Sequence, residues 1–249
     1  MIATIALREL RSMFLSPLAW VVLAVTQAVL AWVFLSQIEV FFSIQAQLTT
    51  MTNAPGVTDL VVAPLLEIAS IILLMVSPLL TMRLISEEHQ NGTFSLLLSA
   101  PVSITQITLG KYLGIILFYI LFIAMISLMP LSLTMGTDLD LGKLAAGLLG
   151  LFLLLSAFAA AGLFLSSLTT SPVVAAVSTF GLLLLLWILD KSGGSGNADN
   201  VFTYLALTSH ILPMLRGIIN SADISYFVLF VTTFLLLTIR QMDARRLQQ

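Results

Sequence analysis

Long apolar runs alternate along this chain with short polar connections. A helix that crosses a membrane needs about 20 consecutive, mostly apolar residues. By that measure six spans are predicted: Leu18–Ile38, Ala63–Ile85, Tyr112–Met135, Leu144–Leu168, Val173–Leu189 and Ile224–Ile239. The runs are continuous, whereas a membrane barrel would need alternating strands of about ten residues. The predicted fold class is therefore an all-α polytopic membrane protein, with one transmembrane domain over residues 1–249.

Composition supports the same class. Of 249 residues, 59% are hydrophobic and 9% are charged, whereas soluble domains carry about 25% charged residues. The net charge of -2 gives no indication of nucleic-acid binding. The absence of cysteine excludes disulfides and thiolate metal sites, and two isolated histidines predict no metal site.

Residues 1–16 predict a separate amphipathic helix. At 100° per residue one face is apolar and the opposite face is polar. The apolar face holds Ile2, Ile5, Ala6, Leu10, Met13 and Phe14, and the polar face holds Thr4, Arg8, Arg11 and Ser12. This pattern is typical of a helix lying in the membrane interface, and Ser16-Pro17 would separate it from the first span. The alternative is an extension of that span. The charges inside the segment argue against a cleavable signal.

An even number of spans places both termini on one side of the membrane. Counting Lys and Arg with both termini cytoplasmic gives seven inside and three outside, and cytoplasmic loops carry the excess. The inside set is Arg8, Arg11, Arg83, Lys111, Arg240, Arg245 and Arg246; the outside set is Lys143, Lys191 and Arg216. The loop 86–111 is therefore expected in the cytoplasm. The segment 190–223 is expected outside, with short helices in its apolar second half.

The stretch Arg83–Lys111 is a polar island that predicts a short helix held outside the membrane. Its defining residues are the acids Glu87 and Glu88, the turn Asn91-Gly92, the cap Thr93, the apolar Phe94, Leu97 and Leu98, and the stop Ala100-Pro101. Asn and Gly end helices readily, and Thr begins them. Apolar surface on a polar loop favours a docking knob. The residues alone leave a second possibility open, a helix that lies back among the headgroups.

No catalytic motif is evident. Gly110-Lys111 lacks a glycine at position 105 and is followed by Tyr112, so no phosphate-binding loop is present. His210 lies beside Ser209, but no acid stands at a spacing that suggests a catalytic triad. The chain is therefore not expected to be an enzyme by itself.

Polar residues within the spans are few. Glu67 is the one acid predicted in hydrocarbon, where a charge costs about 2.5–3.5 kcal/mol at mid-bilayer. It could line a path or protomer interface, or equally reach the headgroups. Sparse intramembrane charge argues against a secondary transporter. The small residues of the fourth span favour packing within the chain over a protomer interface.

Two motifs resemble the ABC-2 type transporter permeases. The first reads Glu88, Gly92, Thr93, Leu97, Leu98, Ala100, Pro101 and Val102, then Ile107, Leu109, Gly110 and Lys111 before the third span. The second is the outer-loop motif Leu207-Thr208-Ser209-His210, Arg216-Gly217-Ile218-Ile219, Asp223 and Tyr226-Phe227. The compact length is most similar to the gliding-motility and copper-enzyme-maturation (GldF/NosY) branch. His89 stands where members of the family often have arginine.

The resemblance implies a permease subunit in the bacterial cytoplasmic (inner) membrane. Two copies would pair with two separate ABC ATPase subunits, which would hold ATP and Mg, while this chain would bind no cofactor. The amino-terminal segment would be the elbow helix and the 86–111 loop would carry the coupling helix. In that helix Glu87 and Glu88 would offer charge, Gly92 and Thr93 the turn and cap, and Phe94, Leu97 and Leu98 the knob. A periplasmic or membrane accessory protein is a further expected partner; a non-transporting scaffold or maturation factor is the alternative function.

Overall fold

The computed structural model describes residues 1–48, 55–90, 92, 103–192 and 204–246. Its helices, numbered in chain order, are α1 Ile2–Leu15, α2 Pro17–Leu48, α3 Ala63–Thr81, α4 Arg83–Gln90, α5 Ile104–Ser132, α6 Leu141–Leu168, α7 Pro172–Ser192, α8 Leu207–Leu215 and α9 Ser221–Arg246. A π-helical turn, Thr58–Val62, leads into α3, and a 3₁₀ turn, Leu133–Met135, follows α5. These described ranges hold no strand, as the predicted all-α class requires.

The prediction of six spans is confirmed. Six helical stretches are long and apolar enough to cross a membrane: Pro17–Gln45, Thr58–Gln90, Ile104–Met135, Leu141–Leu168, Pro172–Leu189 and Ser221–Arg246. Most extend past the predicted limits, because a helix continues its backbone hydrogen bonds into polar flanks that an apolar count leaves out. The 33 residues of Thr58–Gln90 would reach about 50 Å at 1.5 Å per residue. That exceeds the roughly 30 Å of a bilayer core, so the stretch is longer than one crossing needs.

Helix α6 forms the centre of the bundle. It packs against α3, α5, α7, α8 and α9, and its small residues are buried within this chain. The buried set is Ala146, Gly147, Gly150, Ser156, Ala157, Ala159, Ala160, Ala161 and Gly162. Packing within the chain, the favoured interpretation of this stripe, is thus what the structure shows. Helix α2 lies at the periphery and exposes large apolar side chains, among them Trp20, Val25 and Trp32.

Helix α1 is separate from α2. Ser16 adopts an extended backbone conformation between them, with φ -81° and ψ 126°, and Pro17 begins α2. The predicted polar face is exposed, and Ala6 on the apolar face is buried. The predicted faces therefore point as expected, with the apolar one against α5.

The ion pairs of the described residues lie at the two ends of the bundle. We call the end with α1, α4 and the last turns of α9 the proximal face. The opposite end, with Asp59, Lys143 and α8, is the distal face. Each face holds a cluster of paired charges, described next.

Candidate functional site

Two glycines of α5 bring α1 into close contact. A Cβ atom added at Gly110 would lie 2.7 Å from the Cβ of Ile5, and one at Gly114 would lie 2.7 Å from the Cβ of Glu9. Any larger residue would therefore push the two helices apart. The spacing of Gly110 and Gly114 is the small-x-x-x-small pattern of close helix pairs. That signal is present in the sequence, yet the prediction of an interfacial helix did not use it.

Lys111, next to this contact, links three segments of the proximal face. Its Nζ lies 2.8 Å from Oε1 of Glu88 on α4 and 3.4 Å from Oε2 of Glu9 on α1. The lysine side chain is only 3% exposed, and the two glutamates are 20% and 19% exposed. Buried charges are stable only when paired, so these contacts hold α1 and α4 to the start of α5.

The start of α4 is capped by another helix. Ser166 of α6 accepts hydrogen bonds from the backbone N–H groups of Ile85 (3.1 Å) and Ser86 (3.0 Å) through its Oγ, and donates to the carbonyl of Met82 (3.0 Å). The chain breaks its helix at Met82, one turn after Pro78, which leaves backbone donors without partners in their own helix. Ser166 satisfies two of them. No sequence pattern pointed to this role, because the partners stand 80 and 81 residues apart.

The end of α9 completes the cluster. Arg245 Nη2 donates to the carbonyl of Leu168 (2.7 Å), and Nη1 lies 3.2 Å from Nε2 of His89. Helix α4 is therefore held by α1, α5, α6 and α9 together. The segment that follows α4 is therefore attached to a helix held by contacts with four others.

The predicted coupling residues fall partly outside the described residues. Glu87 and Glu88 lie on α4, Glu87 exposed and Glu88 partly buried. Gly92 has φ +69°, the left-handed conformation expected of a turn that ends a helix. The predicted residues outside the described ranges are Asn91, Thr93, Phe94, Leu97, Leu98, Ala100 and Pro101. After them, Ser103 caps α5 by accepting the N–H of Gln106 at 3.3 Å.

His210 on the distal face has an acid partner that sequence reasoning missed. Its Nδ1 lies 2.7 Å from Oδ1 of Asp223, and its Nε2 lies 2.9 Å from the carbonyl of Tyr204. The ring also stacks on Tyr226, with centroids 4.1 Å apart. No acid stands at a sequence spacing that suggests a triad, and Asp223 reaches His210 because the start of α9 folds back onto α8. Both ring nitrogens are engaged, so neither can activate Ser209, and the cluster joins two helices instead of forming a triad.

Glu67 also has a partner on the distal face. Arg216 Nε donates to its Oε1 at 3.1 Å, and the glutamate side chain is 30% exposed. Nearby, Lys143 pairs with Asp59 at 2.6 Å. The motif residue Arg216 thus links the turn after α8 to α3. Among the described residues no three His, Asp or Glu side chains gather closely enough to hold a metal ion.

The backbone conformation and close packing at Gly217 explain why the distal motif has glycine at this position. It has φ +91°, and an added Cβ would lie 2.6 Å from Cγ and 3.1 Å from Cα of Lys143. We expect Gly217→Ala to lower the free energy of unfolding by about 1–3 kcal/mol, because backbone strain and overpacking act together. Denaturation of the purified protein in mixed micelles would measure the change.

Gly136→Ala is the matched control on the same face. Its φ is -134°, and an added Cβ would meet nothing within 4 Å. It should leave stability unchanged or slightly raised. Equal losses in the two variants would show that position 217 is under no special constraint.

The fold is that of a polytopic helical membrane protein. Ion pairs and hydrogen bonds join the helices of its proximal face. The chain belongs to the ABC-2 transporter family: a family model described as "ABC-2 family transporter protein" matches residues 3–240. A search of curated proteins finds no match. The resemblance seen in the two motifs is confirmed at the level of the family. The protein is therefore a membrane-embedded transport component of permease type, not itself catalytic, and the family implies an ABC ATPase partner.

Proposed function

We propose that this chain is the transmembrane permease subunit of an ABC transporter, driven from its proximal face by a separate ATPase. The single observation that carries the proposal is the family match over residues 3–240. The bracing of α4 supports the choice of face. A segment that receives force from a partner needs a base that moves as one body. Lys111, Ser166 and Arg245 connect α4 to α1, α5, α6 and α9.

The segment after α4 would provide the contact with the ATPase. Glu87 and Glu88 would attract basic side chains, Asn91, Gly92 and Thr93 would form the turn and cap, and Phe94, Leu97 and Leu98 would fill a groove before Ala100 and Pro101 end the segment. ATP and Mg would be bound by the partner, and this chain would bind no cofactor. The excess of Lys and Arg on this side supports a cytoplasmic position for this face and both termini. The membrane would be a bacterial inner membrane.

A second copy of the chain would complete the pathway. Exposed apolar residues on α2, such as Val21, Val29 and Leu35, form a face suited to lipid or to another protomer. Glu67, paired with Arg216 at the distal end, would lie beside the path or the protomer interface. The compact form would place the chain in the GldF/NosY branch. In such a homodimer the work would be export of a substrate or transmission of force, aided by a periplasmic or membrane accessory protein.

A negative charge introduced into the proposed knob tests whether this segment docks on an ATPase. In a complex reconstituted with an ABC ATPase encoded in a neighbouring gene, Phe94→Asp or Leu97→Asp should abolish co-purification and stimulation of ATP hydrolysis. A carboxylate forced into an apolar groove costs several kcal/mol without a partner. The measurement is ATPase activity with and without the permease, alongside pull-down of the complex.

Met135→Asp is the control, because Met135 is 95% exposed on the distal face and its replacement should change neither readout. If the Phe94 and Leu97 variants retain full assembly and stimulation, docking through this segment is wrong. If no ATPase binds even the unaltered protein, the alternative of a non-transporting scaffold or maturation factor gains support.

A further inference from the structure

Two adjoining cavities open on the proximal face between α1, the start of α2, the end of α3 and α4. They have volumes of about 170 Å³ and about 200 Å³. Glu9, Ser12, Arg83 and Glu87 line both, so the two form one site. Of the residues that line the site, the proposed function uses only Glu87 and Glu88. A ligand bound in the cavity goes beyond that function.

The two halves of the site differ in character. The larger cavity is ringed by charged groups, with Arg8, Glu88 and Lys111 added to the shared residues. The other runs down onto apolar side chains, including Met13, Leu18 and Leu80. A polar chamber that continues into an apolar floor suits an amphiphile with a charged head and a hydrocarbon tail.

The site also lies at the depth of a lipid headgroup. Trp20 is 58% exposed near the start of α2, and its Nε1 donates to the carbonyl of Phe14 at 2.8 Å. Leu7 and Leu15 of α1 are 61% and 75% exposed. Tryptophan concentrates at the membrane–water boundary, and exposed leucines on an amphipathic helix lie among the upper acyl carbons. The cavity between α1 and α4 therefore opens where phospholipid heads are found.

The charges at the rim select the kind of head. Lys111 is already paired with Glu9 and Glu88. Within the described part of the chain, Arg8, Arg83 and Glu87 form no ion pair. Guanidinium groups bind phosphate oxygens well, and the carboxylate of Glu87 suits an ammonium group. A headgroup with a phosphate and a primary ammonium would pair with the two arginines and with Glu87. A purely anionic headgroup would be repelled by the Glu87 carboxylate. A quaternary ammonium has no N–H group to donate to that carboxylate.

We infer that this site binds an ethanolamine phospholipid from the adjacent leaflet, with its phosphate at Arg83 and Arg8 and its ammonium at Glu87. A lipid so placed would sit between α1 and α4, the two helices that Lys111 ties together. It would act as a fixed structural ligand at the base of the segment after α4.

Lipid add-back tests the inference on the permease alone. The detergent-purified, delipidated protein would be titrated with ethanolamine, choline or glycerol phospholipids of the same acyl chains, and bound lipid counted by native mass spectrometry. The unaltered protein should prefer the ethanolamine lipid. Arg83→Gln should weaken its binding roughly tenfold or more, as expected for loss of a charge-assisted hydrogen bond.

Glu87→Gln gives the sharpest result, because its effect should change sign with the lipid. Binding of the ethanolamine lipid should fall while binding of the anionic glycerol lipid rises, an outcome that misfolding cannot produce. Arg240→Gln, an exposed arginine on α9, is the matched control and should leave all three unchanged. Equal binding of the three lipids by the unaltered protein would overturn the inference. Weaker binding of both the ethanolamine and the glycerol lipid by Glu87→Gln would also overturn it, as would complete displacement of lipid by inorganic phosphate. No ATPase is present, so failure here leaves the proposed function untouched.

Discussion

Lys111→Met should destabilise the protein by about 3–5 kcal/mol, because it leaves Glu9 and Glu88 without their shared cation. Removing one member of a buried ion pair costs this much, since the remaining charge stays out of water without compensation. Lys111 is 3% exposed, and two carboxylates depend on it. Methionine keeps most of the length and apolar contacts of the lysine stem, so the loss reports the charge. Denaturation in mixed micelles would measure it.

Lys143→Met supplies the comparison. Lys143 also pairs with an acid, Asp59, but both side chains are more than a third exposed, at 38% and 37%. Exposed pairs contribute little, so this variant should unfold almost like the unaltered protein. The combination of Lys111→Met with Glu9→Gln and Glu88→Gln should recover much of the lost stability. If Lys111→Met loses no more stability than Lys143→Met, the ion pairs of Lys111 do not hold α1 and α4 to α5.

Gly162→Ala should lower the free energy of unfolding by about 3 kcal/mol, near the upper end of overpacking costs. An added Cβ would lie 2.2 Å from Oγ1 and 2.5 Å from Cβ of Thr81. Thr81 is fully buried, and its Oγ1 donates to the carbonyl of Ser77 at 3.0 Å. The Cβ atom of Thr81 is bonded directly to the backbone, so rotation of the Thr81 side chain cannot relieve its clash with the added Cβ. Helices α3 and α6 would have to separate.

Gly181→Ala on α7 should have the opposite sign. An added Cβ there meets nothing within 4 Å, and alanine in a helix is favoured over glycine by about 0.5–1 kcal/mol. Replacing Thr81 by Gly in the Gly162→Ala background should reduce the penalty of the Ala. A loss that is the same with and without Thr81 would show that the α3–α6 contact at Gly162 does not cause it.

The spans and the separate α1 could be predicted because each depends on local pattern. Continuous apolar runs require burial in lipid or protein, and the proline of Ser16-Pro17 disfavours a helical conformation at Ser16 between the amphipathic segment and the first apolar run. Span limits were less accurate, since helices such as Thr58–Gln90 continue into polar sequence that contributes nothing to hydropathy.

The charged clusters could not be predicted, because they join residues far apart in sequence. Lys111 and Glu9 are 102 residues apart, and Ser166 and Ile85 are 81 apart. Asp223 was within the distal motif, but only the return of α9 onto α8 brings it to His210. One signal was available: Gly110 and Gly114 have the spacing that brings two helices close, and it predicts a helix packed against the start of α5.

Cross-linking would detect the proposed contact between a separate ATPase and the segment after α4. The chain contains no cysteine, so Phe94→Cys and Met135→Cys each introduce a single reactive thiol. Membranes containing the permease and its ABC ATPase would be treated with a short thiol-to-amine cross-linker. We expect a permease–ATPase product from Phe94→Cys and none from Met135→Cys. A product from Met135→Cys alone, or from neither variant when the complex is intact, would contradict the proposed contact.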